Sequence, residues 1–227
     1  MENDFFFQPY VGEKYGEPHG FFGGIKVMAL GNSHHCGDYP STSPYKIRCN
    51  ENCPHYGRHS YNHKSCVNFT EQVVAAYIQY KEENTGKENW MLNFTKFARI
   101  LNAVGNEQEA NLWKSIVFYN FLQAAVANDH LQGRKFEKEK SKNSFIKCIE
   151  DTLPDVIIVW GGTNVYQFLP KDQTLWSVSA INPLYGTYRI KNKDIKVICI
   201  DHPQVANQEQ SIELIKAYAP ELFPSNQ

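Results

Sequence analysis

The sequence lacks any run of about 18 consecutive apolar residues, which a membrane-spanning helix requires. It also lacks a strong excess of charge of either sign, because its formal net charge is −1. That balance weakens a DNA-binding interpretation without excluding it, since one local basic face is sufficient. The first four residues include two acidic side chains and no basic one, unlike the start of a secretory signal. We therefore expect a cytoplasmic protein without a membrane partner.

The chain also lacks internal repeats, a linker and a nucleotide-binding glycine motif. Its 227 residues and 42% hydrophobic content suit one domain, spanning 1–227, with a substantial core. The glycines at 161–162 fit neither the phosphate loop nor the dinucleotide fingerprint, and they predict a tight turn from strand to helix.

Four short runs of apolar, β-forming residues predict buried strands, at 25–30, 115–120, 155–161 and 195–201. Helical patterns are predicted at 69–78, 90–104, 107–113, 133–147, 163–169 and 212–218, and a hairpin-like stretch at 176–190. Strands that alternate with helices favour a parallel sheet covered on both faces. The expected fold is α/β, a three-layer sandwich around a central, mainly parallel four-stranded sheet.

A long loop rich in cysteine and histidine occupies 36–66. A loop of this length without periodicity is functional, organised by a metal, or disordered. Four thiolates can close a tetrahedral zinc site, and an iron–sulfur cluster would use the same ligands. The expected cofactor is a structural zinc, with the cluster and a set of free thiols as alternatives. The candidate ligands are Cys36, Cys49, Cys53 and Cys66.

Polar side chains end three of the predicted strands. The first strand ends at Gly31 before Asn32, Ser33 and His34, the second ends at Asn120, and the last leads to His202. Ligands of open α/β sheets bind outside the carboxyl ends of the strands, so these residues are expected to share a site. The amide of Asn120 has the donor and acceptor needed to bind a pyrimidine edge, although a plain strand-ending asparagine is also compatible.

The order of these strand ends resembles the uracil-DNA glycosylase superfamily across residues 24–205. The shared features are a first strand ending in glycine before a short polar motif, a second ending in Asn120, and a last ending in His202-Pro203. The resemblance implies an enzyme that hydrolyses the N-glycosidic bond of a flipped base in DNA. It also implies that Asn120 binds the base and that His202 donates to the base oxygen as the bond breaks.

Other site residues follow from the chemistry that this resemblance implies. Ser33 or His34 would position the attacking water, and Asp38 is a candidate general base. Gly31 and Asn32 would line the substrate site, Tyr39 or Tyr45 could stack on the base, and Val205 could wedge into the duplex. Phosphate contacts are assigned to the basic stretches 134–147 and 189–196.

The absence of a carboxylate at position 33 and the presence of Gln204 after His-Pro indicate an atypical branch of the superfamily. The identity of the excised base is left open. Two other classes remain. One is a catalytically inactive nucleic-acid or nucleotide-binding protein of the same fold, and the other is a zinc-dependent hydrolase that uses the loop histidines. The oligomeric state is not indicated by the sequence.

Overall fold

A computed structural model describes residues 7–35, 68–123, 125–126, 135–171, 176–178 and 184–223. Its main sheet has seven strands in the order β1-β4-β2-β6-β9-β8-β7. The strands are β1 (Tyr10–Val11), β2 (Val27–Gly31), β4 (Ile116–Asn120), β6 (Val156–Val159), β7 (Trp176–Val178), β8 (Tyr185–Ile190) and β9 (Lys193–Cys199). A separate two-stranded sheet pairs β3 (His34–His35) with β5 (Ala125–Val126).

The α/β class is confirmed, whereas the mainly parallel four-stranded sheet is wrong. The four predicted strands do lie side by side and parallel, as β4, β2, β6 and β9. However, β1 adds an antiparallel edge on one side, and the hairpin of β7 and β8 adds two antiparallel pairings on the other. Main-chain hydrogen bonding allows the hairpin to extend the sheet, and a local sequence pattern does not specify that pairing.

Helices cover the sheet between its strands. They are α1 (Phe69–Glu83), α2 (Met91–Ile100), α3 (Asn106–Trp113), α4 (Lys135–Thr152), α5 (Thr163–Tyr166) and α6 (Gln208–Tyr218), followed by a 3-10 turn at Pro220–Leu222. Each lies close to a segment for which the sequence predicts a helix. Within the described ranges, none of them is long and apolar enough to cross a membrane.

Alternate residues of the central strands enter two different cores. Val27 and Ala29 pack with α1, α2, α3 and α6, whereas Met28 and Leu30 pack with α4 and α5. This alternation follows from the two-residue period of a strand, and burial of both faces explains why the strands are nearly all apolar. The sheet is therefore the middle of three layers, and polar residues are left to its ends.

A buried ion pair connects α1 with α3. Lys81 Nζ lies 2.6 Å from Glu109 Oε2, with the two side chains 6% and 2% exposed. The hydroxyl of Tyr77 donates to the same carboxylate oxygen at 2.7 Å. The negative charge of Glu109 is thereby neutralised and hydrogen-bonded, as a buried carboxylate requires.

Candidate functional site

The carboxyl ends of the parallel strands place several polar residues in one row. Gly31 is paired with Asn120, and Leu30 is paired with Val159, so that Trp160 follows beside Gly31. The ring of His202, after β9, lies 6.1 Å from that of Trp160, measured between centroids. Residues from four different strands therefore meet at one edge of the sheet, as the sequence predicts for Asn120, Gly31 and His202.

The absence of a side chain at Gly31 allows two polar atoms to occupy the space above it. A Cβ atom at this position would lie 2.1 Å from Asn120 Oδ1 and 2.5 Å from Trp160 Nε1. Both atoms therefore face the same side of Gly31. The glycine is required here for close approach and not for its backbone freedom, because its φ is not positive.

The amide of Asn120 is held by His34. Asn120 Nδ2 lies 3.2 Å from His34 Nδ1 and 3.1 Å from Nε2, and His34 Nε2 lies 2.8 Å from Thr70 Oγ1. A neutral imidazole has one N–H and one acceptor nitrogen. One assignment that satisfies both contacts is that Nε2–H donates to Thr70 while Nδ1 accepts from Asn120.

His34 itself is only 4% exposed. Its ring contacts the edges of Phe7 and Phe69, with centroid separations of 4.4 and 4.8 Å. The sequence suggests a water-positioning role for His34, and the structure gives it a contact with Asn120 that the sequence does not predict. A ring fixed in this way is well placed to orient the amide. Ser33, which is half-buried, is more accessible to a water molecule.

A second set of hydrogen bonds fixes the backbone behind Asn120. Gln123 Nε2 donates to the Asn120 carbonyl at 2.9 Å, while Gln123 Oε1 accepts from the Phe7 amide at 2.9 Å. The Gln123 amide donates to Ser141 Oγ of α4 at 3.0 Å. These bonds attach Phe7, near the N-terminus, and α4 to the end of β4, so that the Asn120 side chain projects from a rigid support.

His202 is oriented by the turn that follows it. The amide of Gln204 donates to His202 Nδ1 at 3.2 Å, and Lys96 Nζ donates to the carbonyl of Gln204 at 2.9 Å. Because Nδ1 accepts a hydrogen bond, the neutral ring carries its proton on Nε2. That tautomer has the donor needed to stabilise negative charge that develops on a departing base oxygen.

No family model matches the chain, and no curated protein matches it.

The remaining predicted site residues have different positions. Asn32 accepts from the Leu122 amide through its carbonyl at 2.9 Å, and its side-chain Oδ1 is buried without a hydrogen-bond partner in the described part of the chain. Val205 is 77% exposed, and its amide bonds to the His202 carbonyl, so it lies one turn beyond that histidine. Because Val205 is exposed beside the site, its position is compatible with the predicted wedge into DNA.

Several predicted residues lie outside the described ranges. They are the general-base candidate Asp38, the stacking candidates Tyr39 and Tyr45, and the metal-ligand candidates Cys36, Cys49, Cys53 and Cys66. The metal site therefore stays a prediction. Among the described residues, no cluster of histidine, cysteine, aspartate or glutamate is arranged to bind a metal.

One of the two basic stretches lies far from the site. Residues 189–196 form the β8–β9 turn and the start of β9, at the opposite end of that strand from His202. Three of the four cationic residues in this stretch form ion pairs, Arg189 with Asp194, Lys193 with Asp155 and Lys196 with Glu221, and Lys191 donates to the carbonyl of Glu150. For DNA bound at the Asn120 edge, this position disfavours the phosphate-binding role predicted for the stretch. By contrast, the second turn of α4 lies beside the end of β4, where Ser141 meets Gln123.

Sequence reasoning missed Trp160, Thr70 and Gln123 as members of the site. Thr70 resembles an ordinary helix-start residue, and Trp160 ends an apolar run in which a core tryptophan is the normal interpretation. Only the predicted strand end at Trp160 could have suggested that its indole N–H reaches the site. The thiol of Cys199, near the same edge, is a poor nucleophile because burial raises its pKa to about 12.

Proposed function

We propose that this protein hydrolyses the N-glycosidic bond of a flipped base in DNA, at the strand ends that carry Asn120 and His202. The supporting observation is the row across the sheet, in which a buried amide held by His34 adjoins Gly31 and Trp160, with His202 beside that indole. Residues more than 80 positions apart acquire a common role only through such convergence.

The chemistry of glycosidic cleavage assigns separate roles to these groups. Breaking the bond develops positive charge on the sugar and negative charge on the base. His202 would donate from Nε2 to the base oxygen, because its Nδ1 already accepts from Gln204. Asn120 would bind the base edge, and Ser33 or Asp38 would position water. Basic residues of the stretch 134–147, which overlaps α4, would contact phosphate.

The test is base release from oligonucleotides that carry a panel of damaged, deaminated and modified bases, followed by alkali cleavage at abasic sites. His202→Ala should lower the rate about a hundredfold to a thousandfold and nearly preserve DNA affinity, by analogy with loss of one oxyanion donor. Asn120→Ala should weaken discrimination among bases. A suitable control is Arg189→Ala, since Arg189 lies in β8 opposite Asp194, near the start of β9 and away from His202.

The competing proposal is a binding protein of the same fold that has lost the chemistry, which the absence of a carboxylate at position 33 would permit. Such a protein would retain DNA in a mobility-shift assay and release no base from any member of the panel. A zinc-dependent hydrolase would lose activity to chelators and tolerate Asn120→Ala. Either result would replace the glycosylase assignment.

A further inference from the structure

The indole nitrogen of Trp160 reaches the strand-end edge beside Gly31, where it lies 2.5 Å from the position that a Cβ atom of Gly31 would occupy. Trp160 is only 4% exposed, and its ring packs on Phe97 and Phe118 at centroid distances of 5.0 and 5.1 Å. Although the ring is buried, its Nε1 is not enclosed without a partner, and water or a ligand can accept its hydrogen.

The neighbouring amide is oriented with its oxygen toward this indole. Asn120 Nδ2 contacts His34, whereas Oδ1 lies above Gly31 on the same side as Trp160 Nε1. The reverse orientation would place the amide NH2 beside the indole N–H, so that two donors would face each other. The indole N–H therefore favours the orientation in which Oδ1 lies on the Trp160 side and Nδ2 on the His34 side.

This arrangement makes Asn120 an incomplete recognition group by itself. One of its two amide hydrogens is directed to His34, and its oxygen can accept from a base N–H, while the base carbonyl on the Trp160 side of that oxygen needs another donor. Trp160 Nε1 lies beside that oxygen and has the required hydrogen. The two side chains are held in place by β4 and by the aromatic core, respectively.

We propose that Trp160 Nε1–H is a second base-recognition group, and that it acts with Asn120 Oδ1 on a base edge that carries an N–H next to a carbonyl. The pair selects lactam and imide edges and rejects bases alkylated on that nitrogen. The proposal rests on the proposed function for the assignment of the ligand as a base. Trp160 determines specificity, and His34 is a positioning residue that acts through Asn120.

The first test uses the unaltered protein with two probes that differ by one methyl group. The protein, labelled with nitrogen-15, is titrated with 1-methyluracil, which retains the imide N–H, and with 1,3-dimethyluracil, which lacks it. The Trp160 indole signal should shift on binding of 1-methyluracil, and 1,3-dimethyluracil should bind at least about tenfold more weakly. Equal binding, or saturating binding that leaves this indole unmoved, would overturn the proposal, as would no binding of either probe.

A pair of variants separates the indole donor from aromatic packing. Trp160→Phe should weaken 1-methyluracil binding roughly three- to tenfold, the usual effect of losing one neutral hydrogen bond. Trp90→Phe is the matched control, because Trp90 Nε1 already donates to Glu88 at 3.1 Å. Unchanged binding by a folded Trp160→Phe protein would overturn the proposal. If that variant does not fold, the methylation comparison decides.

The two proposals fail in different ways. If the protein distinguishes the two probes and shifts its Trp160 signal but releases no base from DNA, the role of Trp160 in recognition is supported and base excision is refuted. If the protein releases bases and its Trp160→Phe variant does so at the same rates and with the same selectivity, base excision is supported and the role of Trp160 is refuted.

Discussion

Gly31→Ala is expected to damage the site directly, because the added methyl group has no space. Its Cβ would lie 2.1 Å from Asn120 Oδ1 and 2.5 Å from Trp160 Nε1. Normal contacts between non-bonded heavy atoms are about 3.5–4.0 Å, so the two side chains must move by roughly 1 Å or more. The backbone at Gly31 suits any residue, and the effect should therefore come from the clash alone.

The expected cost has two parts. Overpacking of a rigid interior typically lowers the free energy of unfolding by about 1–3 kcal/mol. At a urea slope of about 2 kcal/mol/M, the unfolding midpoint should fall by roughly 0.5–1.5 M. Displacement of the amide should also disturb its bond to His34, so base binding and base release should decrease more than stability does.

A double-mutant cycle tests whether the clash with Asn120 is the cause. In an Asn120→Ala background, Gly31→Ala should cost less, with a coupling of about 0.5–3 kcal/mol, as is typical of residues in contact. Some cost should remain because the contact with Trp160 Nε1 persists. An unaltered urea midpoint for Gly31→Ala, or costs that add without coupling, would refute the reasoning.

Three further predictions concern stability. Glu109→Gln should lower the free energy of unfolding by about 3–5 kcal/mol, because it leaves Lys81 charged and buried without its partner at 2.6 Å. Lys147→Ala, which removes an exposed ion pair, is the control and should cost less than about 1 kcal/mol in urea unfolding; equal costs would contradict the prediction. Asn207→Ala should cost about 1 kcal/mol, since its side chain accepts from the Gln210 amide at the start of α6, and Asn207→Ser should restore most of it. Burial raises the pKa of Cys199 to about 12, so its contribution to stability should be complete below about pH 8.5 and decrease above it, where the unfolded thiol ionises. Urea midpoints from pH 7 to 9.5 should therefore decline less steeply in Cys199→Ala, and identical slopes would contradict this.

The parallel centre of the sheet was predictable because each of its strands is buried on both faces. Val27 and Ile157 belong to continuous apolar runs that admit few other interpretations, and Val197 belongs to a run that only Lys196 interrupts. The antiparallel edges were not predictable in the same way. Strand β1 has two residues in a turn-rich arm, and its pairing with β4 depends on main-chain hydrogen bonds and not on a side-chain pattern.

The candidate site was predictable where a strand end carries a polar residue. Gly31, Asn120 and His202 are visible in the sequence for this reason. The contact of His34 with Asn120 and Thr70 was not visible, because it depends on how α1 packs against the strand ends. The role of Trp160 in the site was not predictable for a different reason. A tryptophan that follows an apolar strand is normally interpreted as a residue of the hydrophobic core.

The most direct test of the central claim is mass spectrometry of the free base released from a uracil-containing oligonucleotide, with wild-type protein and His202→Ala compared at equal concentration. The account predicts stoichiometric free base and abasic product with the wild-type protein, and about a hundredfold to a thousandfold slower release with the variant. An equal rate of release by both proteins would contradict the role of His202. Intact DNA with the wild-type protein, across uracil and the wider base panel, would contradict base excision itself.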